Sequence, residues 1–97
     1  MNIFEVEDKT GRKIRLTNTQ WSHIMKRHPY MSKYLEEIQE TLKFPQKLLN
    51  PSFDKSYYFR YYKYLKSPNR YILVLVKYLN NEEGFIISTY QTETIKW

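Results

Sequence analysis

The sequence predicts an α+β fold, with an N-terminal hairpin, two helices and then a mainly antiparallel sheet of three to four strands. Three observations lead to this fold class. A pair of short apolar runs flanks a glycine turn, two segments with helical periodicity follow, and the C-terminal part contains three strand-like runs separated by turn residues. Because 97 residues suffice for one hydrophobic core, residues 1–97 are expected to form a single domain.

The N-terminal segment is typical of a hairpin. The runs "NIFEVED" and "RKIRLT" are the predicted strands, and "KTG" with Gly11 is the turn between them. The apolar side chains that these strands contribute are Ile3, Phe4, Val6, Ile14 and Leu16.

The first helix follows directly. Thr17 and Gln20 have the spacing of a capping box, which predicts a helix from about Asn18. Pro29 disfavours helical geometry at His28 and ends it. At 100° per residue one side carries Trp21, Ile24, Met25 and His28, and the opposite side carries Gln20, His23 and Arg27.

A second helix is predicted from about Ser32 to before Pro45. Apolar residues recur there at helical spacing, and glutamates occupy the other side. The predicted strands after it are "SYYFRYYKYL", "RYILVLVKYL" and "GFIISTYQT", an antiparallel meander with the helices packed on one face. Leu48 and Leu49 are candidates for a further short strand.

Charge and composition narrow the function classes. Sixteen Lys and Arg against ten Asp and Glu give a net charge of +6, which favours a polyanionic partner such as nucleic acid, although many basic proteins are simply soluble. Ten tyrosines suit base stacking and equally suit an antiparallel sheet. With no cysteine, no apolar run long enough to span a membrane and no signal peptide, a cytoplasmic location without a membrane partner is expected.

Metal and cofactor chemistry are not indicated. The sequence has no cysteine, no HExxH motif and no glycine-rich phosphate loop, and the acidic residues of the second helix lie away from the histidines. His23 and His28 are about 140° apart on a helix, which does not suit chelation of one ion. The prediction is therefore no cofactor, no metal, and metal-free acid-base chemistry on RNA.

Several residues are candidates for that chemistry, each with a second interpretation. Arg60 and Lys77 stand within strands, either as functional cations or as part of a solvated face. His28 ends a helix either as an acid-base group or as a core histidine, and His23 faces outward. Strand alternation groups a cation with rings that suit nucleotide contact, namely Tyr58, Arg60, Tyr62 and Tyr64.

The order of these motifs resembles a known nuclease group. The stretches "WSHIMKRHPY", "YLEEIQETLKFP", "YYFRYYKY", "RYILVLVKYL" and "GFIISTYQT" are similar to the phage-type barnase/EndoU/colicin/RelE-like (BECR fold) nucleases. More distantly, the chain resembles the BrnT-type toxins of the RelE superfamily. The resemblance covers nearly the whole chain from Leu16 to Thr92.

This resemblance implies a toxin-like, metal-independent endoribonuclease with its site on a sheet surface. By position, it implies catalytic roles for residues on the first helix and on the strands. It also implies that their neighbours contact RNA. Tyr30 departs from the family, which commonly has an acidic residue after the proline. The implied catalytic residues are His28, Arg60, Lys77, Thr89 and Tyr90, and the implied substrate-binding residues are His23 and Arg27. Strand alternation adds Tyr58 and Tyr62 to the predicted substrate-binding residues.

The implied partners are RNA and an acidic antitoxin or immunity protein. Two other function classes stay open. One is a module that binds RNA or single-stranded DNA without cutting it, and the other is a protein-interaction domain that presents its tyrosines to an acidic partner.

Overall fold

A computed structural model describes residues 2–93 of the chain. Within these residues the chain forms six strands, two α-helices and one short 3₁₀ helix. The elements in chain order are β1 (Asn2–Glu7), β2 (Lys13–Thr17), α1 (Asn18–Arg27), the 3₁₀ helix (Pro29–Lys33), α2 (Leu35–Lys43), β3 (Lys47–Ser52), β4 (Lys55–Tyr61), β5 (Tyr71–Tyr78) and β6 (Glu83–Thr92).

The six strands form one mixed sheet in the order β1-β2-β6-β5-β4-β3. All neighbours are antiparallel except β2 and β6, which pair in parallel from Lys13–Arg15 to Glu83–Phe85. The general α+β class is confirmed. The predicted N-terminal hairpin forms, but β1 and β2 join the C-terminal strands through the parallel pair. The predicted sheet of three to four strands is therefore one of six strands.

A close backbone approach permits this junction. Gly84 lies between β2 and β5, and a Cβ at this position would lie 2.7 Å from the Lys77 carbonyl oxygen and 3.1 Å from Ile14 Cδ1. Only glycine fits there without moving the main chain of β5. The predicted turn glycine, Gly11, has a φ of 88°, a conformation that L side chains rarely adopt.

Both helices pack on one face of the sheet and cover the main core. The residues of this core cluster come from β2, the three helices, β4, the loop after it, β5 and β6. They are Ile14, Leu16, Ile24, Met31, Ile38, Leu42, Tyr58, Tyr62, Leu65, Ile72, Val74, Val76, Tyr78 and Ile86. No helix within residues 2–93 is long and apolar enough to cross a membrane.

The first helix begins where the sequence predicts. The Thr17 hydroxyl accepts a hydrogen bond from the Gln20 N–H at 3.1 Å, and the helix ends at Arg27 before Pro29. The second helix begins at Leu35 rather than near Ser32, because the segment after Pro29 first forms the 3₁₀ helix. That turn places Met31 in the core.

A buried carboxylate fixes the β1–β2 turn to the rest of the sheet. Asp8 is almost fully buried and accepts hydrogen bonds from the backbone N–H groups of Thr10 and Arg12, both at 2.9 Å. The Tyr58 hydroxyl on β4 donates to the same carboxylate and also bonds the Tyr78 hydroxyl on β5 at 2.8 Å. Nothing in the spacing of these residues predicts this network.

Candidate functional site

The sheet has one face under the helices and a second, outer face. Cross-strand partners share a face, and side chains alternate along each strand. Tyr90 pairs with Leu73, and Lys77 pairs with Phe85 and Lys55. Leu73 is almost fully buried, yet it lies outside the main core cluster. We therefore use "outer face" for the side that carries Tyr61, Tyr71, Leu73, Lys77, Phe85 and Tyr90.

The predicted nucleotide-contacting group on β4 lies on the helix-covered face. Tyr58 is fully buried, and the nearly buried Tyr62 donates its hydroxyl hydrogen to Glu40 Oε1 at 2.6 Å. Burial, together with these carboxylate contacts, raises the pKa of both phenols well above the ordinary value. Neither phenol is placed to contact RNA as predicted, because α2 packs against this face of β4.

Arg60 lies on the same covered side as Tyr62. Its Nη1 donates to the Phe44 carbonyl oxygen at 2.7 Å, and its Nε lies 3.7 Å from Glu40 Oε1. These contacts hold the guanidinium at the C-terminal end of α2. The residue therefore does not share a site with the outer-face residues.

Two further predicted catalytic residues, Thr89 and Lys77, lie outside the His28 site. Thr89 is fully buried and donates its hydroxyl hydrogen to the Leu73 carbonyl oxygen at 2.8 Å. Lys77 does lie on the outer face. It stands four residues along β5 from Leu73, the partner of Tyr90, which is about 13 Å in a strand.

His28 is held between two tyrosines at the end of α1. Its ring stacks on that of Tyr90, with centroids 5.1 Å apart and planes 28° apart. Tyr30 meets the same ring edge-on at 5.7 Å, and its hydroxyl oxygen lies 3.1 Å from His28 Nδ1. We call His28, Tyr30 and Tyr90 the histidine cluster.

The core-histidine interpretation of His28 is not what the structure shows. The residue is partly exposed and lies outside the core cluster, although Ile24 on the same predicted stripe is buried. Its φ of −135° and ψ of 63° leave helical geometry, so its side chain no longer follows the stripe. The turn before Pro29 thus directs the ring toward β6.

The surroundings of His28 favour its neutral form. Partial burial lowers the pKa of the imidazole, and the neighbouring Arg27 guanidinium lowers it further. Burial raises the pKa of the Tyr30 and Tyr90 phenols, while a hydrogen bond from the Gln91 N–H to the Tyr30 oxygen opposes this shift in Tyr30. All three rings are therefore uncharged near neutral pH.

The Tyr30 oxygen can hold one tautomer of this imidazole. A hydroxyl oxygen has two acceptor sites, so it can accept from Gln91 N–H and from His28 Nδ1–H together. In that tautomer the Nε2 lone pair, which has no hydrogen-bond partner among residues 2–93, is free to take a proton. Sequence reasoning did not place Tyr30 in the site. The signal that could have done so is its position two residues after His28, directly after Pro29.

A cleft of about 230 Å³ lies between α1 and β6, and one of its lining residues is Arg27, the chain neighbour of His28. Gln20 ties its two walls together by donating to the Ile87 carbonyl oxygen at 2.8 Å, beside a bulge in β6. His23 and Arg27 line the cleft, and both are exposed. The structure thus brings two of the predicted substrate-binding residues to one cleft, together with Ser88, which sequence reasoning missed.

Comparisons of the chain with family models, curated proteins and solved structures gave no significant match. Within residues 2–93 no three His, Asp or Glu side chains converge as metal ligands. The chemistry of the site is therefore interpreted from the histidine cluster and the cleft. Together they offer one neutral imidazole, a cation and an accessible groove.

Proposed function

We propose that the protein is a metal-independent, toxin-like endoribonuclease of the barnase/EndoU/colicin/RelE-like type, with His28 as its general base. The observation that carries the proposal is the placement of the His28 ring between the Tyr90 ring and the Tyr30 hydroxyl. A general base must be unprotonated at working pH and held in one orientation. The lowered pKa of His28 and its two tyrosine contacts supply these conditions.

The proposed reaction is attack of the RNA 2′-hydroxyl on its own phosphodiester. The 2′-oxygen forms a bond to phosphorus while the bond from phosphorus to the 5′-oxygen breaks. The 2′-hydroxyl proton passes to His28 Nε2, and the leaving 5′-oxygen takes a proton from water. The products are a 2′,3′-cyclic phosphate and a 5′-hydroxyl.

Arg27 and His23 are proposed to hold the phosphate in the cleft between α1 and β6. The Arg27 guanidinium would oppose the negative charge that develops on the phosphorane. Tyr90 keeps a positioning role because it stacks on His28. We assign no direct role to Arg60, Thr89 or Lys77. Arg60 and Thr89 donate hydrogen bonds to the carbonyl oxygens of Phe44 and Leu73, and Lys77 lies far along β5 from the partner of Tyr90.

A second candidate function is binding of RNA or single-stranded DNA without cleavage. The outer face favours it, because tyrosine rings on β4, β5 and β6 lie on a chain with a net charge of +6. This candidate predicts retention of labelled RNA with a steep loss of affinity at higher salt and no products on long incubation.

An RNA cleavage assay with EDTA separates the two candidates. The proposal predicts cleavage that persists in EDTA, with products that end in a 2′,3′-cyclic phosphate. RNA carrying 2′-O-methyl groups should resist, since it lacks the attacking hydroxyl. Cleavage that requires an added divalent metal, or products with a 3′-hydroxyl, would contradict the proposed reaction.

A further inference from the structure

Four tyrosines lie along one part of the outer face, beginning at the histidine cluster. Tyr30 and Tyr90 belong to the cluster, and Tyr71 stands two residues from Leu73, the β5 partner of Tyr90, so it shares the outer face. Tyr61 is the β4 partner of Tyr71, and their rings meet edge-to-face at 5.4 Å. We call Tyr30, Tyr90, Tyr71 and Tyr61 the aromatic band.

The band has rings that a ligand can reach. Tyr30 is 41% exposed and Tyr61 is 39% exposed, one at each end of the band. Beside them on the same face, Phe59 and Leu73 are only 1% and 2% exposed. The tyrosines therefore border a small apolar layer, and at the Tyr90 end the 3₁₀ helix contacts β6 and contributes Tyr30 to this surface.

The chain around the band is strongly basic. Between Asp54 and Glu82 the sequence contains six Lys or Arg and neither Asp nor Glu. Three of these cations, Lys63, Lys66 and Arg70, lie in the loop that joins the strands carrying Tyr61 and Tyr71. With Arg27 at the opposite end, cations flank the band at both ends.

We propose that the aromatic band binds a single-stranded segment of RNA and leads it to His28. The inference rests on the proposed function and deepens it, because it states which form of RNA the site accepts. Bases stack on exposed rings and phosphates contact the flanking cations, a combination suited to unpaired strands. Bases in a duplex already stack on one another and cannot lie on the rings.

The occupant is assigned as nucleic acid for two reasons. Flat, uncharged rings next to cations match unpaired bases joined by phosphates. The accessible rings also adjoin the imidazole that the proposed reaction needs, so a strand on the band would pass its phosphates by Arg27. An acidic protein would use the cations alone, and this becomes an outcome of the test.

The test measures affinity for a short 2′-O-methyl RNA, which the proposed reaction does not cleave. Tyr61→Leu removes the ring and keeps an apolar side chain, and Tyr61→Phe keeps the ring. We expect Tyr61→Leu to weaken binding about 5- to 100-fold and Tyr61→Phe to bind nearly as the wild type. Phe53→Leu is the matched control, because Phe53 is 92% exposed in the β3–β4 turn, away from the band.

Two further ligands, an RNA duplex and an acidic peptide, show which kind of partner the aromatic band binds. A duplex of the same sequence should bind at least tenfold more weakly than the single strand at equal salt. Equal losses in Tyr61→Leu and Phe53→Leu, no loss in Tyr61→Leu, or equal binding of the duplex would overturn the inference. So would equally tight binding of a poly-glutamate peptide with the same sensitivity to Tyr61→Leu.

The assay also separates this inference from the proposed function. It contains no chemical step, so inactivity toward ordinary RNA would count against the nuclease proposal and leave the band standing. Conversely, cleavage that is lost in His28→Gln while Tyr61→Leu binds normally would support the nuclease proposal and overturn the band. Unfolding temperatures of all variants show whether each protein is folded.

Discussion

At the scale of single residues, the proposed chemistry depends on His28 and on the groups that surround its ring. The sequence predicts a histidine at the end of a helix, but a helix C-terminus favours the imidazolium and would raise the pKa. The structure gives the opposite direction, because burial and the neighbouring Arg27 guanidinium both lower the pKa. The ring has left helical geometry, and it meets Tyr90 and the Tyr30 hydroxyl.

The pKa of His28 gives the first prediction. We expect NMR titration to place it below 6.5, and Arg27→Gln to raise it without reaching 6.5, since burial remains the larger cause. His23→Gln identifies the His28 signals, because the chain has only two histidines. A value above 6.5, or no change in Arg27→Gln, would contradict the assigned environment.

The lowered pKa of His28 also makes the stability of the fold depend on pH. The folded state binds the His28 proton less tightly than the unfolded state, so this residue favours folding at neutral pH. Its contribution is lost as pH falls from 6.5 through the lower folded pKa. Urea unfolding at a series of pH values should therefore show a smaller acid-dependent loss in His28→Gln than in the wild type.

At the scale of elements, sequence patterns identified most helices and strands but not how they meet. The capping pair at Thr17 and Gln20 located α1, and Pro29 located its end. The 3₁₀ helix was missed because its residues also fit the periodicity of α2. The expected nucleotide contact of Tyr58 and Tyr62 was wrong because alternation separates two faces without telling which of them the helices cover.

The start of α1 gives the second prediction. Thr17→Ala removes the acceptor for the Gln20 N–H and should lower the free energy of unfolding by about 1 kcal/mol. Thr19→Ala is the matched control, since Thr19 is exposed within the same helix and alanine favours helix there. Equal losses in both variants, measured by urea unfolding, would show that the cap contributes nothing specific.

The junction of β2, β6 and β5 gives the third prediction. Gly84→Ala places a Cβ against the Lys77 carbonyl oxygen and should cost about 1–3 kcal/mol of stability, because that main chain is held in the β5–β6 ladder. A compact, equally stable Gly84→Ala protein would contradict the close approach. In Gly11→Ala nothing lies within 4 Å of the new Cβ, so only the positive φ destabilises it.

At the scale of the whole molecule, one parallel strand pair turns two segments into a single six-stranded sheet. The sequence shows each strand, but parallel pairing between β2 and β6 joins residues about 70 positions apart and leaves no local signal. The parallel pair ends near Phe85, and further along β6 the α1 helix contacts the strand. That arrangement creates both the cleft and the contact between His28 and Tyr90.

The Asp8 network gives the fourth prediction, because it joins the N-terminal turn to β4 and β5. Tyr58→Phe removes a donor to a buried carboxylate and should lower the free energy of unfolding by about 1–3 kcal/mol. Tyr64→Phe is the control, since its hydroxyl bonds Glu37 at an exposed position, and its change should stay within about 0.5 kcal/mol. Similar losses in both variants would contradict the network's role.

Single-turnover cleavage of a labelled RNA in EDTA by the wild type, His28→Gln and His23→Gln tests whether His28 is the general base. We predict that His28→Gln lowers the rate constant about 10²- to 10⁴-fold, as loss of a general base does, and that His23→Gln has a smaller effect. Unfolding temperatures confirm that both variants are folded. A folded His28→Gln protein that cleaves at the wild-type rate would contradict the account.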